Sequence, residues 1–191
     1  MKTTSKKTIV LCITGSSCCF EKLKPIVEEL VKTYNITTVM SEQASAPNRF
    51  CNMLDFSAYM RDITGNNIIT SIAGSETLSA KKDIVASLVL PATGNTVAKL
   101  ACAITDTPVT MAVKALLRNS IPCVIGLSTN DALSGQAENI GKLLSRKNYY
   151  FIPFAQDDPK AKPFSCVCDF SKTHDTIKMA LKGEQLQPIL I

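Results

Sequence analysis

The chain is 191 residues long, 46% hydrophobic and 19% charged, with a formal net charge of +5 from 21 basic and 16 acidic residues. Such a chain suits one folded domain with a substantial core and excludes a disordered polypeptide. The lysines are scattered without interleaved aromatics, so no nucleic-acid partner is expected. No stretch approaches the roughly 20 apolar residues of a membrane span, so no membrane partner is expected either.

The N-terminal MKTTSKKTIVLCITG starts basic, but Thr14-Gly15-Ser16 interrupts its apolar run before a signal-peptide core develops. A cytosolic, reduced chain is the expectation. Residues 8–13 (TIVLCI) are short, apolar and β-branched, and read as a buried strand. Leu23, Ile26, Val27, Leu30 and Val31 then share one stripe at helical spacing. Pro25 in that helix implies a start nearby, because only a first turn loses little from the missing N–H.

Residues 36–40 (ITTVM) make a second strand, and a helix between 47 and 64 ends at Thr64-Gly65. Ile68-Ile69 reads as a short strand and Gly74 to Lys82 as exposed loop. Another strand at 84–90 runs into Thr93-Gly94-Asn95-Thr96 and a helix over 96–104. A further helix spans 108–119, with Asp106 as its expected cap and Pro108 in its first turn. Residues 121–127 form a strand, Ser128-Thr129-Asn130-Asp131 lead into a helix with Ile140, Leu143 and Leu144, and 149–154 is the last strand. A helix at 174–183 and a short tail close the chain. Strands without a polar face, alternating with helices, predict one doubly wound, Rossmann-like (flavodoxin-like) α/β domain over residues 1–191, with a mainly parallel sheet.

Of the eight cysteines, Cys12, Cys102 and Cys123 read as small core residues. Cys18-Cys19 and Cys166-Val167-Cys168 lack zinc-site spacing, so no metal is expected. The single histidine, His174, lies in a polar helix start and reads as a surface residue.

In a doubly wound sheet, ligands bind beyond the carboxyl ends of the strands. The residues there are Thr14-Gly15-Ser16-Ser17, Ser41-Glu42-Gln43, Thr93-Gly94-Asn95-Thr96, Ser128-Thr129-Asn130-Asp131 and Gln156-Asp157-Asp158. Glycine turns let backbone N–H groups approach an anion, a helix N-terminus adds positive potential, and Ser16, Ser17, Thr93 or Thr96 can donate to phosphate oxygens. The same residues also suit helix capping. No G-x-G-x-x-G or Walker pattern is present, and no serine-histidine triad can be assembled around the one histidine.

The run Pro91-Ala92-Thr93-Gly94-Asn95-Thr96-Val97-Ala98-Lys99, with Asp106 beyond it, resembles the homo-oligomeric flavin-containing cysteine decarboxylases. Their signature is Pro-Ala-Ser-Ala-Asn-Thr followed by Ile-Ala-Lys and an aspartate. Longer segments are similar to the dipicolinate synthase B-subunit family of spore-forming bacteria. These include Thr105-Asp106-Thr107-Pro108-Val109, Ile125 to Leu133, Phe151 to Pro159, Gln185 to Leu190 and Asn48-Arg49-Phe50.

The resemblance implies an FMN-binding flavoprotein subunit that works with a dehydrogenase-like A subunit in the mother cell of a sporulating bacterium. The pair would oxidise a dihydrodipicolinate-level intermediate to pyridine-2,6-dicarboxylate, with NAD(P) as acceptor. By motif match, Gly15, Ser16, Ser17 and the Thr93-Gly94-Asn95-Thr96 turn would hold phosphate and ribityl. Ser41 would approach the flavin, and Asp106 serves either the cofactor or the helix cap. A trimer, or a multiple of one, is the superfamily's usual assembly. For the dicarboxylate substrate, Arg49, Arg118 and Lys160 are the candidate cations. Gln156, Asp157 and Asp158 are candidates to orient it or move a proton, although Asp157-Asp158-Pro159 also reads as a plain turn.

The decarboxylases' histidine ahead of the Pro-Ala-Ser-Ala-Asn-Thr strand has no counterpart in residues 71–84, so their mechanism is not carried over. Two other readings stay open: an FMN-dependent decarboxylase or prenyltransferase-like enzyme, and a non-catalytic partner with a vestigial flavin pocket.

Overall fold

The structure is a computed structural model describing residues 6–191; the first five residues of the basic start lie outside the described residues. Strand β1 (Thr8–Ile13) is buried along its whole length, as a central strand covered on both faces must be. After a 3₁₀ turn at Ser17–Cys19 comes α1 (Phe20–Thr33), which buries Phe20, Leu23, Val27 and Leu30. Pro25 sits inside this helix rather than in its first turn. Its side chain is exposed, where water can reach the carbonyl it leaves unpaired.

Strand β2 (Asn35–Met40) leads to the short helix α2 (Glu42–Ser45), capped by Ser41 Oγ accepting from the Ala44 N–H. Helix α3 (Met53–Thr64) is capped by Asn52 and ends at Gly65, whose φ of 67° is the left-handed conformation glycine adopts without strain. The segment read as exposed loop after Gly74 is ordered instead. It forms α4 (Ile72–Glu76) and a 3₁₀ turn, because Ser75 and Leu78 are buried beneath it.

Strand β3 (Ile84–Ala92) is followed by α5 (Gly94–Ala101) and α6 (Pro108–Leu117). The cap of α6 is Thr107, in a reciprocal box with Thr110, and not Asp106. Cys102 is exposed beyond the last turn of α5, whereas Cys12 and Cys123 are core residues as expected.

Strand β4 (Cys123–Thr129) precedes α7 (Ala137–Leu144), and the interval is a set of turns folded around Asp131, whose carbonyl accepts from the N–H groups of Ser134 and Gln136. The expected strand over 149–154 divides into β5 (Tyr149–Phe151) and β6 (Phe154–Gln156) around Pro153, which has no N–H to continue a ladder. Strand β7 (Cys166–Cys168), too short to show in the sequence, and α8 (Thr173–Ala180) complete the chain.

Strands β2-β1-β3-β4-β5 run parallel in that spatial order, the flavodoxin-like arrangement. Beyond β5's register, the end of β4 pairs antiparallel with β7, and β7 with β6, making a hairpin that overhangs the carboxyl ends of the parallel strands. Gly126 lets β3, β4 and β7 meet. A Cβ there would fall 2.3 Å from Leu90 Cδ1 and 3.0 Å from Cys168 Sγ.

Short segments cover both margins of the sheet. Ile69 bridges to Val39 beside β2. On the other side, the Gln185 carboxamide donates to the Phe151 carbonyl and accepts from its N–H, both at 2.7 Å, while Leu190 bridges to Phe154. No helix of the described residues is long and apolar enough to cross a membrane.

Candidate functional site

Strand order reverses between the parallel neighbours β1 and β3, where connections leave to opposite sides and open a crevice. Thr14 and Thr93 close the base of that crevice. The buried Thr14 hydroxyl donates to the Pro91 carbonyl at 2.6 Å and accepts from the Thr93 N–H at 3.0 Å. This ties the turn after β1 to the turn after β3. Ser16 ties the same turn to β4 by donating to the Ser128 carbonyl at 2.7 Å.

Two cavities open on either side of this seam, and both are lined by Gly15 and Thr93. The first encloses about 470 Å³ and lies against Ser41, Asn95, Thr96, Lys99 and Asp106. The second encloses about 590 Å³ and lies against Ser16, Ser17, Lys22, Arg49, Asp157 and Lys162. Each falls in the range of about 300–1,000 Å³ usual for small-molecule sites.

In the first lobe, several polar side chains already have structural work. Thr93 Oγ1 accepts from the Thr96 N–H and lies 3.0 Å from the Thr96 hydroxyl, so it caps α5. Lys99 Nζ pairs with Asp106 at 2.9 Å across the mouth. Asn95 differs. It is exposed at the start of α5, lines the lobe, and its carboxamide makes no hydrogen bond among the described residues. Gly15 allows close approach of the β1 turn to α2, since a Cβ on it would lie 3.2 Å from Gln43 Cβ.

Gly94 points the other way. A Cβ there would meet Thr129 Oγ1 at 2.6 Å and Asp131 Oδ1 at 2.7 Å, so the glycine serves helix-to-turn packing. The Asp131 carboxylate accepts from Thr129 Oγ1 at 2.5 Å and from Gln136 Nε2 at 3.0 Å. Burial works to raise this carboxyl, but these hydrogen bonds and one from its own backbone hold it below the ordinary aspartate value.

In the second lobe, Cys19 Sγ lies 3.2 Å from Ser128 Oγ, and burial pushes its thiol up. Asp157 is held below its ordinary value. Burial opposes this, and hydrogen bonds from Ser165, its own backbone and Lys162 outweigh burial.

The structure thus gathers Gly15, Ser16, Ser17, Ser41, Thr93 and Asn95 around one crevice, joined by Thr96, Asp106, Arg49 and Asp157. It does not bring Arg118, Lys160, Gln156 or Asp158 to either lobe. Arg118 closes the far end of the ten-residue α6, about 15 Å from the helix start at 1.5 Å per residue. Gln156 Nε2 donates to the Pro163 carbonyl, and Asp158 Oδ1 accepts from the Ala161 N–H, so both shape the β6–β7 loop as a turn. The only histidine, His174, is half-buried on α8, edge-on to Tyr34, and lines neither lobe. Lys22, Lys99 and Lys162 are lining cations that residue type alone did not single out from the 21 basic residues. Thr14 carried a signal in its Thr-Gly turn, but its tether to Pro91 needs the third dimension. Among the described residues, no group of histidine, cysteine and acidic side chains could hold a metal ion.

A ligand crevice at the switch point of a 2-1-3-4-5 parallel sheet, floored by hydroxyls and the start of α5, defines the class: a flavodoxin-like α/β protein. Residues 1–179 match the model of the family described as Flavoprotein, and the chain belongs to that family. It is 42% identical to the B subunit of dipicolinate synthase from Bacillus subtilis (strain 168), over 100% of this chain and 96% of the relative. The crystal structure of the dipicolinate synthase B subunit from Bacillus halodurans superposes with a TM-score of 0.89 at 37% identity, covering 98% of this chain and 97% of that one. The FMN binding protein AtHal3 shares the fold at a TM-score of 0.68 and 14% identity, covering 91% and 95% of the two chains.

Proposed function

We propose that this chain is the flavoprotein-type B subunit of a dipicolinate synthase, acting with a dehydrogenase-like A subunit. The observation carrying this reading is the 42% identity to a dipicolinate synthase B subunit along the whole chain. The reaction removes a hydride and a proton from a dihydrodipicolinate-level intermediate and leaves an aromatic pyridine-2,6-dicarboxylate. NAD(P) on the partner subunit takes the hydride. A mother-cell location and assembly into trimers or their multiples belong to the same reading.

The crevice residues fit FMN. Gly15 permits close backbone approach, Asn95 offers an uncommitted carboxamide, and α5 presents its N-terminal N–H groups at the Thr93 turn. Phosphate would be held at the seam by the Gly15-Ser16-Ser17 turn and Thr93–Thr96. Ser41 and Asn95 would meet the ribityl chain and ring. Bound FMN would supply two-electron redox chemistry. The protein's own part would be to orient the intermediate and keep its carboxylates fixed, and of the predicted trio Asp157 alone lines the second lobe. No histidine lines the crevice to serve the decarboxylase mechanism.

Reconstitution tests the reading. The purified chain is mixed with its A subunit, and dipicolinate is followed with each nucleotide and with or without FMN. Synthesis that needs both subunits is expected. Undiminished synthesis by the A subunit alone would overturn it.

A further inference from the structure

The two lobes carry opposite charge. Lys99 faces Glu42 and Asp106 in the first, one cation against two anions, a formal charge of −1. Lys22, Arg49 and Lys162 face Asp157 in the second, three cations against one anion, a formal charge of +2. These cations come from three separate parts of the chain: the first turn of α1, the loop between α2 and α3, and the β6–β7 loop. Only Lys162 is paired, with Asp157 at 3.4 Å. Lys22 and Arg49 make no ion pair among the described residues.

Like charges gathered from separate elements repel one another, and a bound dianion removes that repulsion. The rest of the lobe suits a flat ring. Arg49 Cζ lies 4.9 Å from the centre of the Phe50 ring, placing a guanidinium and an aromatic face together, and Asn130 adds a neutral polar group.

We propose that the second lobe is a dicarboxylate subsite. Lys22, Arg49 and Lys162 hold the two carboxylates of a planar ring of the pyridine-2,6-dicarboxylate type. Asp157 competes with the ligand for Lys162 and so sets how readily product leaves. The identity of the ligand rests on the dipicolinate reading above; the charge argument does not. The first lobe, at −1, is left to the less charged part of the cofactor.

The test is calorimetric titration of pyridine-2,6-dicarboxylate into the FMN-supplemented full chain, at low salt in metal-free buffer. Lys22→Gln, Arg49→Gln and Lys162→Gln are each expected to weaken binding about tenfold. Asp157→Asn is expected to tighten it about threefold. Lys160→Gln, on the same loop but outside the lobe, leaves it unchanged. These side chains are exposed, and unchanged circular dichroism will show that the variants fold.

Absent binding by the wild type, cation variants that bind like the wild type, or Lys160→Gln matching Lys162→Gln would each overturn the subsite. If binding follows the expected pattern but reconstitution gives no dipicolinate, the functional reading fails and the subsite stands. If synthesis proceeds but the cation variants bind normally, the subsite alone fails.

Discussion

Replacing Thr14 by valine removes one hydroxyl and almost no volume, so it isolates the tether between the turns after β1 and β3. Two hydrogen bonds disappear, the 2.6 Å bond to the Pro91 carbonyl and the 3.0 Å bond from the Thr93 N–H. Each is worth about 0.5–1.5 kcal/mol net, and the Pro91 carbonyl is left in a buried setting, which adds to the loss. A destabilisation of about 2–3 kcal/mol follows. With a urea m-value of about 2–3 kcal/mol/M, the unfolding midpoint falls by about 1 M with its slope unchanged. Binding of FMN, followed by quenching of its fluorescence, weakens as well, because Thr93 is no longer held against the Gly15 turn. Thr14→Ser, which keeps the hydroxyl, recovers most of both. A loss below about 0.5 kcal/mol for Thr14→Val would refute the claim that this contact organises the crevice.

Asn95→Ala is expected to weaken FMN binding by about 1–3 kcal/mol while leaving the urea midpoint in place, since the side chain is exposed and bonds to nothing else described; unchanged flavin affinity would count against the crevice as the cofactor site. Gly126→Ala drives a methyl to 2.3 Å from Leu90 Cδ1, so a thermal or urea midpoint should report a loss of about 1–3 kcal/mol from overpacking. Asp131 titrates below its ordinary value in the folded protein. Its contribution is therefore complete above about pH 4, the unfolded aspartate value, and is lost as pH falls through the lower folded value. Asp131→Asn should flatten the acid limb of a stability-against-pH curve, and an unaltered limb would contradict the assignment.

The parallel core could be read from the chain because its signals are local. TIVLCI, IVASLVL and IPCVIGL are apolar runs closed by glycine or polar turns, and all three became central strands. The crevice was legible for a related reason, since Gly15, Ser41 and Thr93 each come within two residues of a strand's end. The antiparallel hairpin was not. Cys166–Cys168 is three residues long, and its pairing with Ser128 and Thr129 is set by contacts across the fold. Asp106 looked like a helix cap from spacing alone, but Thr107 and Thr110 satisfy each other one residue later and leave Asp106 free for Lys99. The cations separated poorly for the same reason. Arg118 and Arg49 look alike in sequence, and only the direction of α6 sends one of them to the wrong end of the sheet.

The segments along the two margins of the sheet bear on how the protein behaves in a crowded solution. An open strand edge offers unpaired N–H and C=O groups to any other chain and is a route to aggregation. Here Gln185 occupies the peptide group of Phe151 with a side chain, which cannot propagate a ladder, and Ile189 to Ile191 engage Phe154. On the opposite margin, Ile69 fills the sites beside Thr38 and Met40. These few residues make no contact with the crevice, yet they leave the sheet with little edge on which a second molecule could template itself. Their contribution would show as solubility and shelf life rather than as turnover.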